Sequence, residues 1–173
     1  VSPNSLNRIR VDEDDHKSLE DLLIYEYGEQ NKGKRLEYLN VNHVIWSDEA
    51  DFKTDYSFLI GFPSESVLIE TSDDEEAVLK DFKLRWIRQD LEAVSRAPLD
   101  TENRSIFEKH RSSTRLSISP DGLSGCPVFS IVQDAKKDRH LRFDGIVTNA
   151  RGDRFAVYPS VHIRAFLDNL TSG

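Results

Sequence analysis

The stretch Asp121-Gly122-Leu123-Ser124-Gly125-Cys126-Pro127-Val128-Phe129 sets a serine between two glycines, in the pattern Gly-x-Ser-Gly-x-Pro-hydrophobic. Glycine reaches backbone angles that a side chain forbids. Such a turn can expose a hydroxyl and aim backbone N–H groups at one point, as an acyl-transfer nucleophile requires. Pro127 stops the turn, and Val128-Phe129-Ser130-Ile131-Val132 reads as a buried strand leaving it. Taken alone, the same small residues would also suit a tight hairpin.

The flanking sequence is rich in short strands. Residues 143–148 form a second strand, joined to the first by the charged segment 134–140. Phe155-Ala156-Val157-Tyr158 is one more strand after the Arg151-Gly152-Asp153 turn. Val161, Phe166, Leu167 and Leu170 then fall at helical spacing, with Ser160 placed as N-cap. Upstream, strands are expected at 22–27, at 42–46 and at Tyr56-Ser57-Phe58-Leu59-Ile60-Gly61-Phe62-Pro63. In 78–94, Phe82, Leu84 and Trp86 alternate with Lys83 and Arg85, which favours a strand over a helix. Residues 1–18, 71–76 and 97–111 read as polar loops. No repeat and no βαβ rhythm appears, so the expected class is all-β, with barrels or a sandwich and one terminal helix.

Composition narrows the function. The chain has 173 residues, 38% of them hydrophobic, which suffices for one substantial core or two small barrels. A formal charge of −8 argues against nucleic acid or an anionic membrane as partner. Cys126 is the single cysteine, so no intrachain disulfide forms and no zinc site with two cysteines exists. This usage favours a reducing compartment, read here as the cytoplasm. No apolar run approaches the roughly 18 residues of a membrane span. Methionine is absent and the chain opens Val1-Ser2-Pro3. The expectation is a part of something longer, from which a leader or upstream domain could have been separated.

These pieces, in this order, resemble the trypsin-like (chymotrypsin-fold) serine proteases, particularly their bacterial disulfide-free branch. Residues 122–129 look like the family's nucleophile motif, and 143–148 like the following strand that binds substrate backbone. Val157-Tyr158-Pro159-Ser160-Val161 leads into a C-terminal helix, as in the family. Gly61-Phe62-Pro63 resembles the segment opening the second barrel. Asp21-Leu22-Leu23-Ile24 resembles the strand carrying the triad aspartate.

The resemblance implies two six-stranded antiparallel β-barrels, the first incomplete, with a C-terminal helix. It implies a single peptidase domain over 1–173. Residues 1–54 would be the remainder of the first barrel and the connector, and 55–173 the second barrel and helix. Ser124 would be the nucleophile of a serine endopeptidase acting on protein or peptide, and Asp21 would orient a histidine. The N–H groups of Gly122 and Ser124 would form the oxyanion hole. Thr148, Asn149 and Ala150 would wall the primary specificity pocket, with Ile118 near its floor. No cofactor and no metal is implied. A regulatory protein partner or fused sensor domain is the expected means of activation.

The chain departs from the family pattern at three points. Cys126 stands where a second glycine is usual, a small change of packing. Leu123 replaces the aspartate of the digestive enzymes, which removes activation by a new N-terminus. The histidine is the largest departure: only His16 precedes Asp21, and it is too close. Either the base lies before Val1, or His43 serves with Asp55 as its orienter. His110, His140 and His162 read as surface residues, and Tyr25, Tyr27, Trp46, Phe58 and Trp86 as packing. A catalytically silent, protease-like module that binds protein partners is the alternative.

Overall fold

A computed structural model describes residues 5–8, 23–26, 40–47, 51–71, 79–94, 104–111 and 119–171. The chain divides into two units, Val1–Val41 and Asn42–Gly173. In the first, strands β1 (Ser5–Arg8) and β2 (Leu23–Glu26) pair antiparallel, with Ser5 opposite Glu26 and Arg8 opposite Leu23. The polar lead-in thus contains a strand that its composition hides.

The second unit is built from β3 (Ile45–Trp46), β4 (Lys53–Gly61), β5 (Val67–Thr71), β6 (Leu79–Leu84), β7 (Ile87–Val94), β8 (Ser105–Lys109), β9 (Pro127–Gln133), β10 (Arg139–Arg151), β11 (Arg154–Pro159) and helix α1 (Ser160–Thr171). Six of these strands close a ring in the order β4-β7-β8-β11-β10-β9, and every pairing in it is antiparallel. The expected all-β class is therefore realised as one closed six-stranded barrel with a C-terminal helix. β3 adds to the outside of β10 in parallel, and β5 and β6 form a separate two-stranded sheet.

Two-residue alternation decides the faces. On β4, Ser57, Leu59 and Gly61 are buried, and Tyr56, Phe58 and Ile60 point out. On β9, Val128, Ser130 and Val132 are buried. Leu59, Leu91, Phe107, Val128, Val147, Phe155 and Val157 are among the barrel core, with Leu123 and Cys126 closing it from the serine turn. Each such side chain contributes roughly 1.5–3 kcal/mol by leaving water.

The expectation for 78–94 was one strand; the chain instead breaks at Arg85-Trp86 into β6 and β7. The segment read as a loop over 97–111 contains β8, which completes the ring between β7 and β11. Residues Val41–His43 form a 3-10 turn, so the strand expected at 42–46 is reduced to Ile45–Trp46. Ser160 begins α1 as expected, but its hydroxyl donates to Phe143 O at 2.5 Å and accepts from Ser47 N at 3.0 Å. The Val161 amide is served instead by Ser47 Oγ at 3.4 Å. Ser160 therefore latches the helix to the barrel, and the capping oxygen comes from a residue distant in sequence.

The barrel interior also holds a polar chain. Ser57 Oγ and Ser130 Oγ are 2.7 Å apart, and Ser130 Oγ donates to Asp144 Oδ2 at 2.5 Å. Arg142 Nε donates to Asp144 Oδ1 at 2.7 Å, and Arg142 Nη2 to Thr54 Oγ1 at 3.2 Å. A bulge between Phe143 and Gly145 places Asp144 among the buried residues. Burial pushes the Asp144 carboxyl above the ordinary aspartate range, against the lowering pull of Ser130 and Arg142.

On the outer face, Phe58, Phe129 and Phe143 stand in register across β4, β9 and β10, and Trp46 continues the row on β3. Their ring centroids are 5.5 to 6.0 Å apart, within the range of favourable aromatic pairs. Arg88 lies over Phe58 and Tyr56 at 4.8 and 5.3 Å.

Candidate functional site

The connection from β8 to β9 ends in the serine turn. Leu123 N donates to Pro120 O at 3.1 Å, closing a first turn through Asp121 and Gly122. Cys126 N donates to Leu123 O at 3.1 Å, closing a second through Ser124 and Gly125. Gly122 and Gly125 have φ of 82° and 86°, in the left-handed region that favours glycine. Gly122 is doubly required, because a Cβ there would lie 2.5 Å from Ser64 Oγ and 2.6 Å from Ser64 N.

Both flanks of the turn are fastened. On one side, Ser64 N donates to Asp121 O at 2.9 Å. On the other, Gly125 N donates to Val147 O at 2.8 Å and Val147 N to Cys126 O at 2.9 Å. From below, Leu123 and Cys126 are buried in the core. Gly122, Ser124 and Gly125 remain exposed on top. The apolar side chains pull the turn down, and the glycines let the serine stand out.

The pattern of amides follows from this geometry. Those of Leu123, Gly125 and Cys126 are spent within the turn or on β10. Among the described residues, no acceptor is bonded to the N–H of Gly122 or of Ser124. These are the two donors expected to face an oxyanion. The ladder of β9 with β10 ends at Pro127–Ile146, followed by the Val147 bonds. Beyond Val147, among the described strands none pairs with β10 on that side, where Asn149 and Ala150 continue past the turn. Thr148 sits in the bulge between β10 and β11, its Oγ1 donating to Ala156 O at 3.3 Å. Ala150 packs against the core and Asn149 is exposed.

Ser124, Gly122, Thr148, Asn149 and Ala150 are thus brought to one end of the barrel. Asp21 and Ile118 lie outside the described residues, as does His16. Among the described residues, His43 is hydrogen-bonded neither to Asp55 nor to Ser124. His43 lies in the 3-10 turn before β3, and β3 pairs in parallel with β10 at Ile45–Arg142 and Trp46–Phe143. The serine turn is held at Val147. Asp55 lies between the pairs Thr54–Val132 and Tyr56–Ile131, at the far end of β9 from Ser124. Its carboxylate takes Arg139 Nε at 3.2 Å instead.

The other histidines are engaged elsewhere. His140 Nε2 is 3.4 Å from Asp134 Oδ2 and His162 stacks on Tyr158, while His110 is exposed, its backbone N–H held by Asp90 O. Among the described residues, no histidine hydrogen-bonds to Ser124. Cys126, next but one to the nucleophile, is not poised to react. It is buried, and burial pushes its thiol pKa up against the hydrogen bond from the Phe62 amide.

Two features escaped the sequence. The Ser57–Ser130–Asp144 chain gives no signal there, because serines on strands look the same facing in or out. Phe62 and Trp86 are exposed at the barrel end that carries the turn, at 47% and 61%. Sequence alone reads such aromatics as packing, and Trp46, at 8% exposure, does pack. Among the described residues, no group of acids, histidines or cysteines is arranged to hold a metal ion. No described helix is long and apolar enough to cross a membrane. Compared with known proteins, the chain matches no family model, no curated protein and no solved structure.

Proposed function

We propose that Ser124 is the nucleophile of a trypsin-like serine endopeptidase acting on protein or peptide substrates without a cofactor. The observation that carries this reading is the pair of amides, Gly122 and Ser124, bonded to no acceptor among the described residues, at an exposed serine in a turn fastened on both sides. Ser124 Oγ would attack the carbonyl carbon and lose its proton to a general base. The tetrahedral oxyanion would take both N–H groups. Collapse would break the C–N bond, the amine leaving with that proton, and water would then hydrolyse the acyl-serine.

Substrate backbone would pair along the open edge of β10 at Asn149 and Ala150, in the manner of strand addition, with Thr148 beside it. Asp21 orienting a histidine base belongs to the same reading. So does a second barrel. The half-buried aromatic row of Phe58, Phe129 and Phe143 is suited to a packed body, which a two-barrel architecture would supply. Activation by a regulatory partner or fused domain, which would complete the site, is part of the proposal.

A second reading is a silent protease-like module that binds peptides at the same edge. It is favoured by one observation: no described histidine reaches Ser124. A fluorophosphonate probe separates the two. Wild-type protein in its longest natural form should be labelled, and Ser124→Ala should not. Absence of Ser124-dependent labelling, with and without candidate activating partners, would leave the binding module.

A further inference from the structure

We propose that Phe62 and Trp86 form a subsite for large apolar side chains on the leaving-group side of the scissile bond. This rests on the acyl-transfer reading of Ser124. Gly61 opposite Ile87 is the last pair of the β4–β7 ladder, and both point inward. Phe62 follows the last residue of β4 and Trp86 precedes the first of β7, so the two stand next to each other in the chain path at this end of the ladder. Phe62 is 47% exposed and Trp86 61%. Tyr56, the other exposed large aromatic, has Arg88 over its ring. Among the described residues, no ring or guanidinium stacks on Phe62 or Trp86.

Phe62 is held hard against the serine turn. Its amide is bonded to the Cys126 thiol, and its carbonyl lies 3.1 Å from the Cβ position of Gly122. Two residues on, Ser64 N holds Asp121 O. The half-exposed ring can meet a ligand while its backbone is already ordered, so little entropy is lost on binding.

Direction follows from the two flanks of the turn. Val147 and the open edge of β10 lie on one side and take the acyl portion. Phe62–Ser64 lie on the other, where the departing amine portion must pass. Apolar side chains in the first two positions after the cleaved bond would cover two aromatic surfaces that are otherwise in water. The predicted substrates are polypeptide segments with Leu, Ile or Phe just beyond the cut.

The test is digestion of a library of peptides derived from whole-cell protein by the full chain, with cleavage sites read by mass spectrometry. Fluorophosphonate labelling of Ser124 runs in parallel. Bonds followed by Leu, Ile or Phe should be cut about tenfold more often than those followed by Glu or Ser, a typical margin for an apolar pocket. The preference should vanish in Phe62→Ser/Trp86→Ser and persist in Tyr56→Ser, which alters an exposed aromatic far from the turn. Ser124-dependent labelling and cleavage without this preference, or with it intact in the double variant, would overturn the subsite alone. No labelling and no Ser124-dependent cleavage would overturn both it and the acyl-transfer reading.

Discussion

A Cβ placed on Gly61 would stand 2.2 Å from Cys126 Sγ. The last residue of β4 and the residue after the nucleophile turn therefore share one space, which only a hydrogen at position 61 and a small group at 126 can fill. Gly61→Ala should destabilise the barrel by about 2–3 kcal/mol through overpacking. Cys126→Ala in that background should restore at least about 1 kcal/mol, read as a coupling energy from a double-mutant cycle in urea. The same burial, with the thiol pKa raised, should make iodoacetamide modification of Cys126 follow global unfolding.

The two glycines of the serine turn should separate cleanly. Gly122→Ala meets both an unfavourable φ and Ser64, and should cost about 3 kcal/mol, combining strain with a clash. Gly125→Ala has the same backbone demand but open space around it, and should cost about 1 kcal/mol. Chemical denaturation of the two variants checks the difference. Ser124→Ala, by contrast, alters an exposed side chain and should change stability by no more than about 0.5 kcal/mol. A loss of labelling in that variant would then report chemistry and not folding.

Asp144 gives a pH dependence of definite sign. Its pKa is raised in the folded state by burial. The unfolded chain therefore loses this proton first as pH rises. Its contribution is most favourable below the ordinary aspartate value, diminishes as pH climbs from there to the raised folded value, and is constant above. Asp144→Asn has no proton to lose, so wild type should lose stability relative to it across that window. Paired urea titrations at several pH values measure the difference. A stability of wild type minus that of Asp144→Asn that rose with pH across this window would contradict the assignment.

Ser130 is the middle of the buried chain, with hydroxyl contacts to Ser57 at 2.7 Å and Asp144 at 2.5 Å. Ser130→Ala leaves two buried polar groups short of a partner and should cost about 1–3 kcal/mol. Ser57→Ala added to it should cost little more, because the contact between them is already gone.

The serine turn, β9, the β9–β10 connection, β11 and the helix were legible because glycine, proline and apolar spacing mark them. β8 was not. Only Ile106 and Phe107 are apolar in Ser105–Lys109, and both are buried, so no simple alternation survives. The strand is defined by its neighbours β7 and β11, a tertiary fact. β10 extends past its legible part because Arg142 and Asp144 satisfy one another where alternation would demand apolar side chains. Ser160 was read for local capping, whereas its partners Ser47 and Phe143 are set by the closed sheet. At the site, Ser124 and its two amides could be named because the turn is local. Whether a histidine reaches it depends on how distant segments come together, which a local pattern does not carry.

β11 is the strand that joins β10 to β8, and it contributes Phe155 and Val157 to the core. The ring cannot close until residues 154–159 are present, and its seam links segments nearly fifty residues apart. On a ribosome, β4, β7 and β8 would emerge as an open sheet with the Phe107 side unsealed, awaiting the last strand. Slow, late closure is then expected from topology alone. Both fastenings of the serine turn to β10 also wait on that strand's pairing, so the site is completed near the end of folding.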